Sequence, residues 1–134
     1  MKSTTFVCVS VVFAAFPAAG CKESRVARTG VPAQIADNGL EELAGVYKFM
    51  AQHKEAPPRK LEDLVDHQAA LPTAWGKIES GEYVVQWGAA YSAAGSGVLA
   101  YEKKAAESGG LVLLQNGTVK QMSAAEFKST PIAR

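Results

Sequence analysis

The chain has 134 residues, 48% of them hydrophobic and 20% charged, with a formal net charge of +1. That composition excludes an intrinsically disordered or low-complexity chain. The absence of any block of like charge argues against nucleic acid or an anionic surface as a partner, and the length allows one domain with one modest core.

Met1 to Thr5 is a short basic start carrying Lys2. Phe6 to Phe16 is an apolar run, and Pro17-Ala18-Ala19-Gly20 places small residues before Cys21. This order describes a secretory signal over residues 1–20, cleaved between Gly20 and Cys21. The apolar run falls short of the roughly 20 residues that a membrane-spanning helix needs. The cysteines are Cys8, inside the signal, and Cys21. A cleaved chain keeps one of them, so no internal disulfide is expected and the core alone must hold the fold.

The ending Ala18-Ala19-Gly20-Cys21 resembles the bacterial lipobox, with Ala18 where that motif usually has Leu. The resemblance implies a diacylglycerol, usually joined by a further acyl chain, on Cys21. Each buried CH₂ contributes about 0.8 kcal/mol, so one chain binds marginally and two or more hold firmly. Residues 21–36 carry Arg25, Arg28, Gly30 and Pro32 without a clear period and read as a tether.

The globular domain is read over residues 37–129. Asp37 or Asn38 caps a helix with Leu40, Leu43, Tyr47 and Met50 on one stripe. Glu41 and Glu42 in the first turn and Lys48 towards its end suit the helix dipole, and Pro57-Pro58 stops it. Leu61 to Val65 suggests a second short helix, closed before Pro72. Gly81 to Gly88 reads as a strand with Tyr83, Val85 and Trp87 on one face. Ala89 to Gly97 reads as a loop, Val98 to Tyr101 as a strand, and Glu102 to Ser108 as a turn or loop.

The strongest local pattern is Leu111 to Phe127. The apolar run Leu111-Val112-Leu113-Leu114 meets Asn116-Gly117, which predicts a type I′ hairpin turn. The return strand alternates, with Thr118, Lys120 and Met122 on one face and Val119 and Gln121 on the other. Ser123 and Glu126 fit a capping box, flanked by Met122 and Phe127 as a hydrophobic staple. Residues 130–134 read as a frayed tail. The expected fold is α+β: an N-terminal helix packed on a small, mainly antiparallel four-stranded sheet, with a short C-terminal helix.

The chemistry on offer is sparse. His53 and His67 are the only histidines, with Asp63 and Asp66 near the second. No compact ligand spacing supports a metal site, so both read as solvated. Glu102 follows an apolar strand, but no partner for it is identifiable. Gly95-Ser96-Gly97 lacks the G-x-S-x-G pattern of a nucleophile turn. Asn116-Gly117-Thr118 matches a glycosylation sequon and reads as turn chemistry. Trp75 and Tyr91 fall in expected loops and are the candidate binding pair, whereas Tyr83 and Trp87 read as core. No metal and no small-molecule cofactor is expected.

Val46-Tyr47-Lys48-Phe49, Pro57-Pro58, Leu61-Glu62-Asp63-Leu64 and Leu71-Pro72 resemble the start of the globular part of type II secretion pseudopilins. The stretch Val98 to Phe127 resembles small exported planctomycete proteins ending in a similar hairpin and Glu-Phe helix. The likeness spans roughly residues 40 to 128 and implies a fold more than an activity. A prepilin is cut before its apolar helix; here the apolar run precedes Gly20, so lipid rather than a pilin stem would carry the domain. The expectation is a lipid-anchored, non-enzymatic protein of the bacterial envelope, outside the cytoplasm, with an envelope protein as partner. The alternatives are an accessory component of a pilus or secretion-like system, and an envelope hydrolase using Glu102 or Asp63, Asp66 and His67.

Overall fold

The structure, a computed structural model, describes residues 39–134. The signal, Cys21, the tether and the expected Asp37 or Asn38 cap lie outside the described residues. Helix α1 spans Gly39–Gln52, a 3₁₀ helix spans Leu61–Ala70 and α2 spans Ala74–Glu79. Strand β1 is Tyr83–Val85, β2 is Val98–Glu102 and helix α3 is Ala105–Ser108. Strands β3, Gly110–Leu114, and β4, Val119–Met122, lead into α4, Ala124–Ser129. The four strands form one antiparallel sheet in sequence order, with helices on both faces. The fold is α+β.

Helix α1 buries Leu40, Leu43, Val46, Tyr47 and Met50. They meet Leu99, Ala100, Leu111 and Leu113 of the sheet, with Leu64, Leu71 and Ala74 joining from the same side. The opposite sheet face carries Val98, Val112, Leu114 and Met122, closed by Ala105 of α3 and Phe127 of α4. β3 is buried along its whole length, which explains why its sequence is an unbroken apolar run rather than an alternation. β4 alternates as expected: Met122 faces α4, and Val119 packs against the α1 side.

The pairing of β2 with β3 slips by one residue between Val98 and Ala100. Leu99 is the extra residue of a β-bulge. It lets two consecutive side chains, Leu99 and Ala100, both enter the α1 face, while Val98 and Tyr101 face the other way.

Several local expectations are corrected. α1 ends at Gln52, before Pro57-Pro58. Glu55 N–H donates to Met50 C=O, Lys54 N–H donates to Ala51 C=O, and Lys54 takes φ +58°. This is a Schellman stop with lysine where glycine is usual. The hairpin turn is not type I′, because Asn116 does not take positive φ. Gly117 N–H donates to Leu114 C=O, Leu114 N–H donates to Thr118 C=O, and Gly117 alone takes φ +81°. The loop is therefore three residues long with glycine in the left-handed place. Gln115 accounts for the difference. Its backbone and side chain are tied to Gly97, Ser92 and Ala90.

α2 and α3 were not anticipated. The expected strand over Gly81 to Gly88 is shorter, Tyr83–Val85, and Trp87 turns outward, 37% exposed, while Tyr83 and Val85 are core. Gly88 N–H donates to Pro58 C=O and carries φ +84°, which pulls the chain off the sheet. The tail is not frayed. Val98 N–H donates to Pro131 C=O, Ala133 N–H donates to Val98 C=O, and Ala133 is buried. The tail takes the place beside β2 that β1 leaves.

The capping box forms as read. Ser123 Oγ accepts from Glu126 N–H at 3.2 Å and Glu126 Oε2 accepts from Ser123 N–H at 2.8 Å. Met122 and Phe127 share one cluster, and the Phe127 ring lies 4.6 Å from that of Tyr101.

Candidate binding groove

Besides its core stripe, α1 has a second, exposed face. Phe49 stands on it, 45% exposed. It follows Val46 by three residues and Gly45 by four, so the three share one side of the helix. The 3₁₀ helix runs opposite. Between them lies a groove of about 540 Å³ lined by Gly45, Val46, Phe49 and Ala69, Ala70, with Glu41, Glu42, Asp66 and His67 around it. Val65, on the 3₁₀ helix, is 55% exposed. Large apolar side chains open to water on neighbouring elements mark an interaction surface more than a scattered exposure does.

The histidines meet here. The Phe49 ring centroid is 4.1 Å from that of His53 and 5.7 Å from that of His67, the latter edge-on. His67 Nε2 lies 3.2 Å from Glu55 Oε2. The stack pins the Phe49 ring from two sides, and the Glu55 contact ties the α1 exit turn to the 3₁₀ helix. Both histidines are thus brought to one aromatic side chain, with His53 exposed as expected and His67 half-buried. Among the described residues, no group of three or more His, Cys, Asp or Glu is placed to hold a metal.

Glu42, at the groove's rim, reaches across to α2. Its Oε2 accepts from Thr73 N–H at 2.9 Å and Ala74 N–H at 3.0 Å. Thr73 is the N-cap residue of α2 and makes no side-chain cap of its own. A carboxylate from 31 residues upstream therefore caps α2.

Of the residues nominated for hydrolysis, Asp66 and His67 line the groove together, whereas Glu102 and Asp63 stand elsewhere. Glu102 Oε2 accepts from Leu111 N–H at 2.6 Å, and its Oε1 lies 3.4 Å from Lys104 Nζ. A Cβ at Gly110 would stand 2.7 Å from that carboxylate, so the glycine makes room for it. Asp63 accepts from Arg59 N–H at 2.8 Å, and Asp66 is exposed on the groove rim. Glu102 lines a different depression, with Glu82, Tyr83, Lys103 and Glu107. Asn116 Oδ1 accepts from Thr118 N–H at 3.0 Å, as turn chemistry requires. Trp75 and Tyr91 are half-buried and pack against the main core. Trp75 sits on α2, whereas Tyr91 closes a small cleft beside Tyr47, Met50, Pro57 and Pro58.

Phe49 is the residue that sequence reading missed. Its signal was present: a large apolar side chain off the stripe of Leu40, Leu43, Tyr47 and Met50, one turn from a glycine. Among the described residues no helix is long and apolar enough to cross a membrane. No protein family matches the chain, and no curated protein and no solved structure is similar to it.

Proposed function

We propose that this is a lipid-anchored protein of the bacterial envelope whose folded domain binds another protein rather than carrying out a reaction. The observation that supports the binding role is the open groove at Phe49, framed by α1 and the 3₁₀ helix. The hydrolase alternative loses support because Glu102 and Asp63 hold backbone N–H groups and face different parts of the surface. The anchor rests on Cys21 following a basic start, an apolar run and small residues. A role beside a pilus or secretion-like apparatus is the second reading, favoured by a helix laid on an antiparallel meander.

Two measurements test the proposal. The mass of the mature N-terminal peptide from membrane-fractionated cells is expected to show acylated Cys21; a free thiol or an uncut Met1 removes the anchor. Crosslinking in intact envelopes is expected to give an adduct that Phe49→Ser abolishes. An adduct unchanged by that substitution moves the binding role off the groove.

A further inference from the structure

Gly45 stands in the middle of α1, exposed, and a Cβ there would meet no atom within 4 Å. An interior helical glycine costs about 1 kcal/mol relative to alanine. Nothing among the described residues packs on it to offset that cost. What the glycine does is leave the groove floor bare between Glu41 and Phe49. A bare helical backbone is what a closely approaching ligand needs.

The charge around that floor is one-sided. Glu41, Glu42 and Asp66 line the groove with His67, and among the described residues no Lys or Arg does. Glu42 is committed to α2, but Glu41 and Asp66 are exposed and form no ion pair with a described residue. The depressions near β1 differ, since Lys60 and Lys103 stand there among Glu62, Glu79, Glu82 and Glu107. Carboxylates beside an apolar floor repel an anionic lipid surface and attract a cation carried on an apolar segment.

We propose, resting on the binding role above, that the groove takes a segment of a partner protein with alternating apolar and basic residues. An apolar side chain packs on Gly45 and Phe49, and a Lys or Arg lies against Glu41 and Asp66. The exposed Phe49 ring offers the same cation a π face.

The test uses the full chain on neutral phosphatidylcholine vesicles and a labelled peptide alternating Leu with Lys, read by fluorescence anisotropy. A Leu–Glu peptide and phosphatidylglycerol vesicles are the competing probes. The Leu–Lys peptide is expected to bind about tenfold tighter than the Leu–Glu peptide, and Glu41→Lys with Asp66→Lys to reverse the order. Gly45→Ala and Gly45→Phe are both expected to raise the thermal midpoint, since both improve helix propensity. Only Gly45→Phe is expected to abolish binding, which separates a blocked groove from a damaged fold. Preference for the Leu–Glu peptide or the anionic vesicles overturns the basic partner while leaving a binding groove. Self-association lost in Gly45→Phe overturns it in favour of a second copy of this chain. Saturable binding of no probe, with no self-association, overturns both the basic partner and the groove.

Discussion

The Glu42 carboxylate caps Ala74, accepting its N–H at 3.0 Å, and so fastens the first turn of α1 to the start of α2. No side chain of α2's own N-cap residue does this. Glu42→Ala leaves two N–H groups without an acceptor and is expected to cost about 1–2 kcal/mol. Glu42→Gln keeps an acceptor oxygen and should lose less. Urea midpoints at constant slope distinguish the two; equal losses would show that the charge, not the bond, matters.

Lys54 holds a left-handed conformation that glycine adopts freely. Lys54→Gly is expected to raise stability by about 0.5–1 kcal/mol, read as a shift of the urea midpoint. A fall would mean that the lysine stem contributes packing beyond its backbone geometry.

The N–H of Ser123 holds Glu126 below its ordinary value of 4.5, with the Ser123 hydroxyl and the charge of Lys120 acting in the same direction. A carboxyl depressed in the folded state stabilises the fold above the unfolded value, and that stabilisation disappears as pH falls through the folded one. Acid titration should therefore erode stability below about pH 4.5, and Glu126→Gln should flatten that part of the curve. A carboxyl-carbon NMR titration with an ordinary midpoint would contradict this.

Removing residues 131–134 deletes two backbone bonds to Val98 and the buried Ala133. Each bond contributes about 1 kcal/mol net, so a loss of about 2 kcal/mol or more is expected. Amide exchange at Val98 should accelerate in the shortened chain.

Tyr47 is 2% exposed, and its Oη has no hydrogen-bond partner among the described residues. Burial pushes its pKa up, so it stays neutral. Tyr47→Phe removes an unsatisfied buried hydroxyl and keeps the ring, so stability should hold or rise by about 1 kcal/mol. A clear loss in thermal unfolding would reveal an ordered water in the small cleft beside it.

What was legible in the sequence is what short-range physics decides. The α1 stripe, the β3–β4 hairpin and the Ser123–Glu126 box each depend on residues within a few positions of one another, and all three form. The misses came from distant partners. Gln115 is tied to Ala90, Ser92 and Gly97, and this changes the hairpin loop from two residues to three. α2 begins at a carboxylate 31 residues upstream. Pro131 and Ala133 bond to Val98 across the sheet. The groove stayed hidden because it needs α1 and the 3₁₀ helix side by side, and two prolines separate them in sequence.

Leu99 can be subtracted from the β2–β3 register without moving any other pair of those two strands, at the loss of the bond that its C=O accepts from Gln86 N–H on the other edge. Val98 would still face Leu114 and Ala100 would still face Leu113. The bulge is thus one codon away from a regular ladder, and every other side chain would keep its face. Losing that codon would leave a leucine-sized void under α1, of the kind that costs several kcal/mol. The sheet is drawn for one fewer residue than its core requires, and the inserted leucine reconciles the two.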